Sequence, residues 1–334
     1  MVNKQYASPY ICGLIVIVLG VFIPVFFPAY RVLLVTEAII FSLFAISYNL
    51  LLGYAGLLSF GHAMFFGTGA YVTAISLSHI KGLPILGAVF MAIMATTALG
   101  FLAGSLLLRH KGHYFALLTL AFNSLFFAIA TKWHSITGGD DGLSVTRPDL
   151  NLYFIKLNMS DITTFYYFTG LIIGIVILFC WYFTKTAMGQ TVCLIRENEE
   201  RMKFLGYNTN ISRLYLFTFT GALAGFAGSF YALFFQFTSI TAISIDMTTT
   251  VLLMTFIGGT GTFVGPIIGA FAFTFLQDYL SDITDRWPLI MGLIFIFMVL
   301  YVPGGLSDLL ASIKDRISGL MDKTGRSETK GQNR

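Results

Sequence analysis

The feature that most constrains this chain is the length of its apolar runs. Residues 10–27, 32–52, 62–78, 84–108 and 114–131 form one series, and 165–183, 214–237, 247–257, 264–276 and 288–302 form a second. A helix needs roughly 20 apolar residues to cross a hydrocarbon core about 30 Å thick; most of these runs reach that length, and the last three fall short of it. The expected fold is an all-α, polytopic membrane protein with about ten transmembrane helices and discontinuous glycine-rich segments. Composition agrees, because 56% of the residues are hydrophobic and 11% charged, against about a quarter charged in soluble domains. The 334 residues read as a transmembrane domain over 1–305. An amphipathic helix follows from Leu306 through Leu309, Leu310, Ile313, Ile317 and Leu320, and the basic tail closing 306–334 reads as disordered.

The first run is too long for a signal peptide and ends in Pro28, Ala29 and Tyr30 without a small-residue cleavage pattern, so a retained first helix is expected. Basic residues set the orientation. With ten spans and a cytoplasmic N-terminus, one side holds the N-terminal tail, the turn at 109–113, the segment 185–213 and the C-terminus, which together carry 14 of the 20 Lys and Arg residues. That bias puts both termini in the cytoplasm. Cys12, Cys180 and Cys193 lack metal-ligand spacing and read as packing residues.

Backbone at membrane depth must find partners, so a helix breaks there only where protein or an aqueous cavity shelters the break. Two glycine clusters are candidates. In NLLLGYAGLLSFGHAMFFGTGAY, Gly53, Gly56 and Gly61 alternate with polar Asn49, Ser59 and His62. In FIGGTGTFVGPIIGA, Gly258, Gly259, Thr260 and Gly261 lie between two runs each too short to span alone. Interrupted segments in the two halves of a transporter point to a solute path at a repeat interface; close helix packing is the other reading of such glycines. His62 is either a donor to an anionic solute or unwound carbonyl, or a satisfied structural histidine.

Two connections are long. Residues 132–162 contain the turn-rich TGGDDGL, and 185–213 contain RENEERMKFLGYN, three acids and three bases with apolar Met202, Phe204 and Leu205. The second suits a short helix on the membrane face ending at Gly206, or else a solvated connector. No G-x-x-x-x-G-K-[ST] is present, so any ATP energy must come from a partner. Catalytic motifs and paired-cysteine metal spacings are absent too, and no catalytic residue, metal or cofactor is expected in this chain. Membrane lipid is its expected surroundings, and no nucleic-acid partner is expected.

These motifs, with YFALLTLAF and GALAGFAGSFYA, occur in the order found in the permeases of branched-chain amino acid ABC importers, and the chain resembles that family over most of residues 30–305. Relatives of the family carry urea or short amides. The resemblance implies a multi-pass bacterial inner-membrane permease, paired with a second homologous permease, two cytoplasmic ATP-binding subunits and a periplasmic solute-binding protein. It also implies that the segment 196–208 is the helix docking on the ATPases, with Arg196, Glu199, Glu200, Phe204, Leu205 and Gly206 as coupling residues. Glu200 and Gly206 keep the family's acid-to-glycine spacing, whereas Arg201 and Met202 stand where the family has alanines. The expected function is alternating-access import of branched-chain amino acids. A urea or short-amide importer is the nearest alternative, and an ATP-independent carrier or channel is the alternative from another class.

Overall fold

The computed structural model describes residues 20, 22–80, 82–110, 112–152, 155–302 and 304–309. Helix α1 spans Ala29–Asn49 and continues through a π-helical turn, Leu50–Tyr54. After a non-helical stretch, 55–62, come α2 (Ala63–His79), α3 (Ile85–Leu107) and α4 (His113–Lys132). The connection beyond α4 holds one helical turn (His134–Thr137), a 3-10 turn (Gly139–Asp141) and the short strands β1 (Leu143–Ser144), β2 (Leu150–Leu152) and β3 (Ile155–Leu157). Helices α5 (Ile162–Lys185), α6 (Ala187–Glu197), α7 (Glu199–Phe204) and α8 (Thr209–Phe235) follow. The chain then passes through β4 (Phe237–Thr238) and a 3-10 turn (Ile240–Ile243) to α9 (Ile245–Gly258), α10 (Gly265–Ile283) and α11 (Trp287–Tyr301).

Five of the described helical segments, α1 with its π turn, α3, α4, α5 and α8, are long and apolar enough to cross a membrane. Every expected run from residue 32 onward coincides with one helix; the run at 10–27 lies mostly outside the described residues, as does the amphipathic tail beyond residue 309. Helices α3 and α5 expose Phe90, Leu102, Leu171 and Leu178, whereas α1 and α8 are mostly buried. In water this exposure would be prohibitive, and against acyl chains it costs little. The fold is thus an all-α membrane protein whose centre is α1 and α8.

Two hairpins interlock at that centre. In the first, α2 folds back on α1, since the Phe44 and Phe66 ring centroids lie 4.3 Å apart and His62 reaches Ser47. In the second, α9 returns from the far end of α8 and lies along α1, with the Thr255 hydroxyl donating to the Ala45 carbonyl at 3.5 Å. The hairpins point in opposite directions. Helix α2 runs beside α8, where Gly69 and Gly225 bring the two backbones into contact, and Gly228 receives the backbone of Phe66. Replacing hydrogen with a methyl at these positions would force the helices apart, so the glycines fix the crossing. Helices α9 and α10 form a further hairpin in which Gly258 and Gly269 meet facing backbone.

Candidate functional site

The first interruption is held by side chains from three helices, α1, α4 and α9. Phe60 N–H donates to Thr119 Oγ1 at 3.1 Å, Tyr48 hydroxyl donates to the Ser59 carbonyl at 3.1 Å, and Ala63 N–H, the first of α2, donates to Thr248 Oγ1 of α9 at 3.1 Å. These bonds replace the helical partners that 55–62 lacks, the condition for irregular backbone inside a bilayer. His62 is fully buried among Phe44, Tyr48 and Phe65. Ser47 Oγ donates to the Phe44 carbonyl at 2.7 Å, which leaves it an acceptor toward His62 Nε2 at 2.9 Å. The network therefore assigns the proton to Nε2; Nδ1 has no partner among the described residues. The geometry is that of a histidine holding the start of α2 against α1.

Residues 258–265 form the turn between α9 and α10, and Asn49 ties the first cluster to it. Asn49 Nδ2 donates to the Thr262 carbonyl at 2.9 Å, and Gly261 N–H donates to Asn49 Oδ1 at 3.1 Å. One buried side chain thus both donates to and accepts from a turn more than two hundred residues away in sequence. Gly53 packs in the same place, against Asn49 and the backbone of Gly261. Gly259 abuts the backbone at Gly304 and Gly305, and Thr262 Oγ1 meets Ser307 Oγ at 3.1 Å. Thr260 is half-buried beside them.

A third interruption, 236–244, carries no sequence signal of its own; QFTSITAIS reads as an ordinary polar loop after a long apolar run. The structure instead packs it among helices: Asn123 Nδ2 of α4 donates to the Ile243 carbonyl at 2.8 Å, and Gly67 of α2 packs on Ala242 and Ile243. Helix α9 therefore starts inside the bundle, with Ser244 Oγ accepting from Met247 N–H at 3.2 Å as its cap. The first turns of α2 and α9 overlap in opposite directions, as two half-helices meeting head to head. Beside them opens a recess of about 410 Å³, lined by Phe127, Tyr231, Ile240, Thr241, Ser244, Asp246, Met247 and Thr250. It faces the end of the bundle where α8 finishes.

At the opposite end lie α6 and α7. Asn198 breaks the segment 196–208 in two and caps α7, its Oδ1 accepting from Arg201 N–H at 2.9 Å. Helix α7 closes in a Schellman arrangement, Gly206 N–H to the Lys203 carbonyl at 3.0 Å and Tyr207 N–H to the Met202 carbonyl at 3.1 Å. Gly206 takes the left-handed conformation, φ 86°, that this cap requires. Glu199 fastens α7 to the start of α8 by an ion pair with Arg213 at 2.8 Å, and along α7 itself it pairs with Lys203 at 2.9 Å. Glu200 is exposed, and Phe204, 91% exposed, stands with Leu205 and Tyr207 as an apolar patch among charges. Arg196 belongs to the end of α6 instead, and its guanidinium donates to the Gly53 carbonyl while its methylenes cover Gly56. Sequence spacing groups Arg196 with α7; the break at Asn198 turns it toward the first glycine cluster.

Arg147, from the connection after α4, has no motif around it to mark it. Its Nε and Nη2 donate to the carbonyls of Leu233 and Phe234, the open end of α8, and its guanidinium lies 4.0 Å from the Phe165 ring centroid. Burial lowers its pKa to about 10, which leaves it charged at neutral pH and able to complement the helix end.

The family model described as branched-chain amino acid transport system / permease component matches residues 30–302. The chain belongs to the branched-chain amino acid permease family. Members similar to it include the high-affinity branched-chain amino acid transport system permease protein LivM of Salmonella typhimurium and its Escherichia coli counterpart. Each is 28% identical over 291 residues, covering 81% of this chain and 68% of the relative. The probable branched-chain amino acid transport permease LivM of Methanocaldococcus jannaschii is 25% identical over 72% of this chain and 79% of its own. The autoinducer 2 import system permease LsrC of Yersinia pestis matches 32% of this chain and 32% of its own, at 28% identity. No solved structure matches. As a member of this family the chain is an ABC transporter permease, a transmembrane transport subunit.

Proposed function

We propose that this permease imports branched-chain amino acids across the bacterial inner membrane, working with a second homologous permease, two cytoplasmic ATP-binding subunits and a periplasmic binding protein. Family membership supports the amino acid reading, and the distribution of Lys and Arg supports a cytoplasmic position for both termini, α6 and α7. The observation that carries the mechanism is α7 itself. An apolar patch of Phe204, Leu205 and Tyr207 at the end of a six-residue helix is costly to leave in water without a partner. A rigid cap at Gly206 and the Glu199 to Arg213 ion pair make α7 a handle fixed to α8, suited to docking in an ATPase groove with Glu200 at its rim.

Closure of the ATPases on ATP would move α7, and with it α8 at one end and, through Arg196, the first glycine cluster at the other. The ten-span topology completes this reading, with solute passing near Asn49, Ser59, His62 and the 258–261 turn as access alternates. The deciding experiment is uptake of labelled leucine and labelled urea in cells with and without the gene, together with co-purification of the tagged chain. Gene-dependent leucine uptake and recovery of ATPase subunits are expected. Urea uptake alone would reassign the solute, and flux through the lone chain in liposomes would remove the ATP-driven mechanism.

A further inference from the structure

The recess beside α9 is lined from four directions, and its chemistry is divided. Half of its lining is aromatic or aliphatic: Phe127 from α4, Tyr231 from α8, Ile240 and Met247. The other half brings the hydroxyls of Thr241, Ser244 and Thr250 and a single carboxylate, Asp246. The ion pairs of Glu199 lie at the other end of the bundle, and among the described residues no cation or hydrogen-bond donor engages the Asp246 carboxylate. An exposed carboxylate beside hydroxyls, in a recess whose remaining lining is aliphatic and aromatic, is complementary to an ammonium-bearing small molecule with an apolar side chain.

We propose that this recess is a solute subsite in which Asp246 takes the ammonium group of an α-amino acid while Phe127, Tyr231, Ile240 and Met247 cover its aliphatic side chain. The inference rests on the importer reading and adds the solute class: urea and short amides carry no ammonium for Asp246 to pair with. A volume of about 410 Å³ is within the range of small-molecule sites, about 300–1,000 Å³. The competing role for Asp246 is stabilisation of the first turn of α9, where any acid complements the positive helix end; that role predicts no effect on transport selectivity.

The test uses the complete transporter, both permeases, the ATPases and the binding protein, in proteoliposomes. Asp246→Asn is expected to lower leucine uptake about tenfold or more, the usual effect of removing one partner of a charge-assisted bond. Basal ATPase activity should persist, and Asp246→Glu should restore part of the uptake. Leucine uptake within about twofold of the parent in Asp246→Asn overturns the subsite and leaves the importer reading standing. A parent transporter that moves urea and no amino acid overturns both. To cover a variant that fails to assemble, a second measurement uses Thr241→Cys and a cationic methanethiosulfonate reagent added from outside, read above the background of the three native cysteines. Saturating leucine should slow labelling at position 241 and urea should not; absence of leucine protection overturns the proposal.

Discussion

Asn49 shows how much one polar side chain can hold. It sits at the end of α1, 1% exposed, and supplies both a donor and an acceptor to the turn between α9 and α10. Truncation removes two hydrogen bonds and strands the Gly261 N–H, so Asn49→Ala should destabilise the permease by about 2–4 kcal/mol. Thermal unfolding in detergent, followed by intrinsic fluorescence, would register this as a lower midpoint. Arg147 acts similarly at the other end of the molecule, where two carbonyls at the end of α8 depend on it. Arg147→Ala should cost about 2–3 kcal/mol, while Arg147→Lys, which cannot fork across two carbonyls, should recover only part. Denaturation midpoints of the two variants would separate charge from geometry. Asn49 can be singled out in the sequence because it borders glycines. Arg147 cannot, since nothing near it in the chain hints that its partners are 86 and 87 residues away.

At the scale of elements, α7 makes the sharpest prediction. Its glycine cap is left-handed, and a Cβ added to Gly206 would meet nothing within 4 Å, so crowding is not the difficulty there; the backbone is. Gly206→Val should unravel the cap at a cost of about 1–2 kcal/mol and uncouple ATP hydrolysis from uptake while the transmembrane helices stay folded. Leucine uptake and ATPase rate measured side by side would reveal the split, and unchanged coupling would remove α7 from the mechanism. Helix positions are readable because runs of about 20 apolar residues have one stable form in lipid. Interruptions are readable only where glycine marks them. The 236–244 stretch contains no glycine, and Gln236 instead adopts the left-handed conformation at φ 54°, so its sequence resembles a surface loop. The division of 196–208 is hidden for a related reason, because Asn198 can cap a helix as readily as sit inside a polar one.

For the molecule as a whole, the crossing of α2 and α8 decides whether the hairpins can interlock. Gly225 faces Thr96 on one helix and Gly69 on another, so Gly225→Leu should cost about 3 kcal/mol, the upper range for overpacking. Size-exclusion profiles of the detergent-solubilised variant should show loss of the monodisperse peak. Pairing of the two hairpins is only partly foreseeable: the glycine pattern suggests one break in each half, and Asn49 and Gly53 do meet the 258–265 turn, yet α2 itself packs on the glycine-free stretch 236–244. The bond from Ala63 N–H to Thr248 Oγ1 closes the centre across 185 residues, and this bears on how the protein is made. At synthesis rates of about 5–20 residues per second, roughly 10–40 s separate the emergence of the donor from that of its acceptor. Throughout that interval the Ala63 amide of the newborn first hairpin lacks its native acceptor, so the insertion machinery or a neighbouring chain must shelter it until the second hairpin arrives.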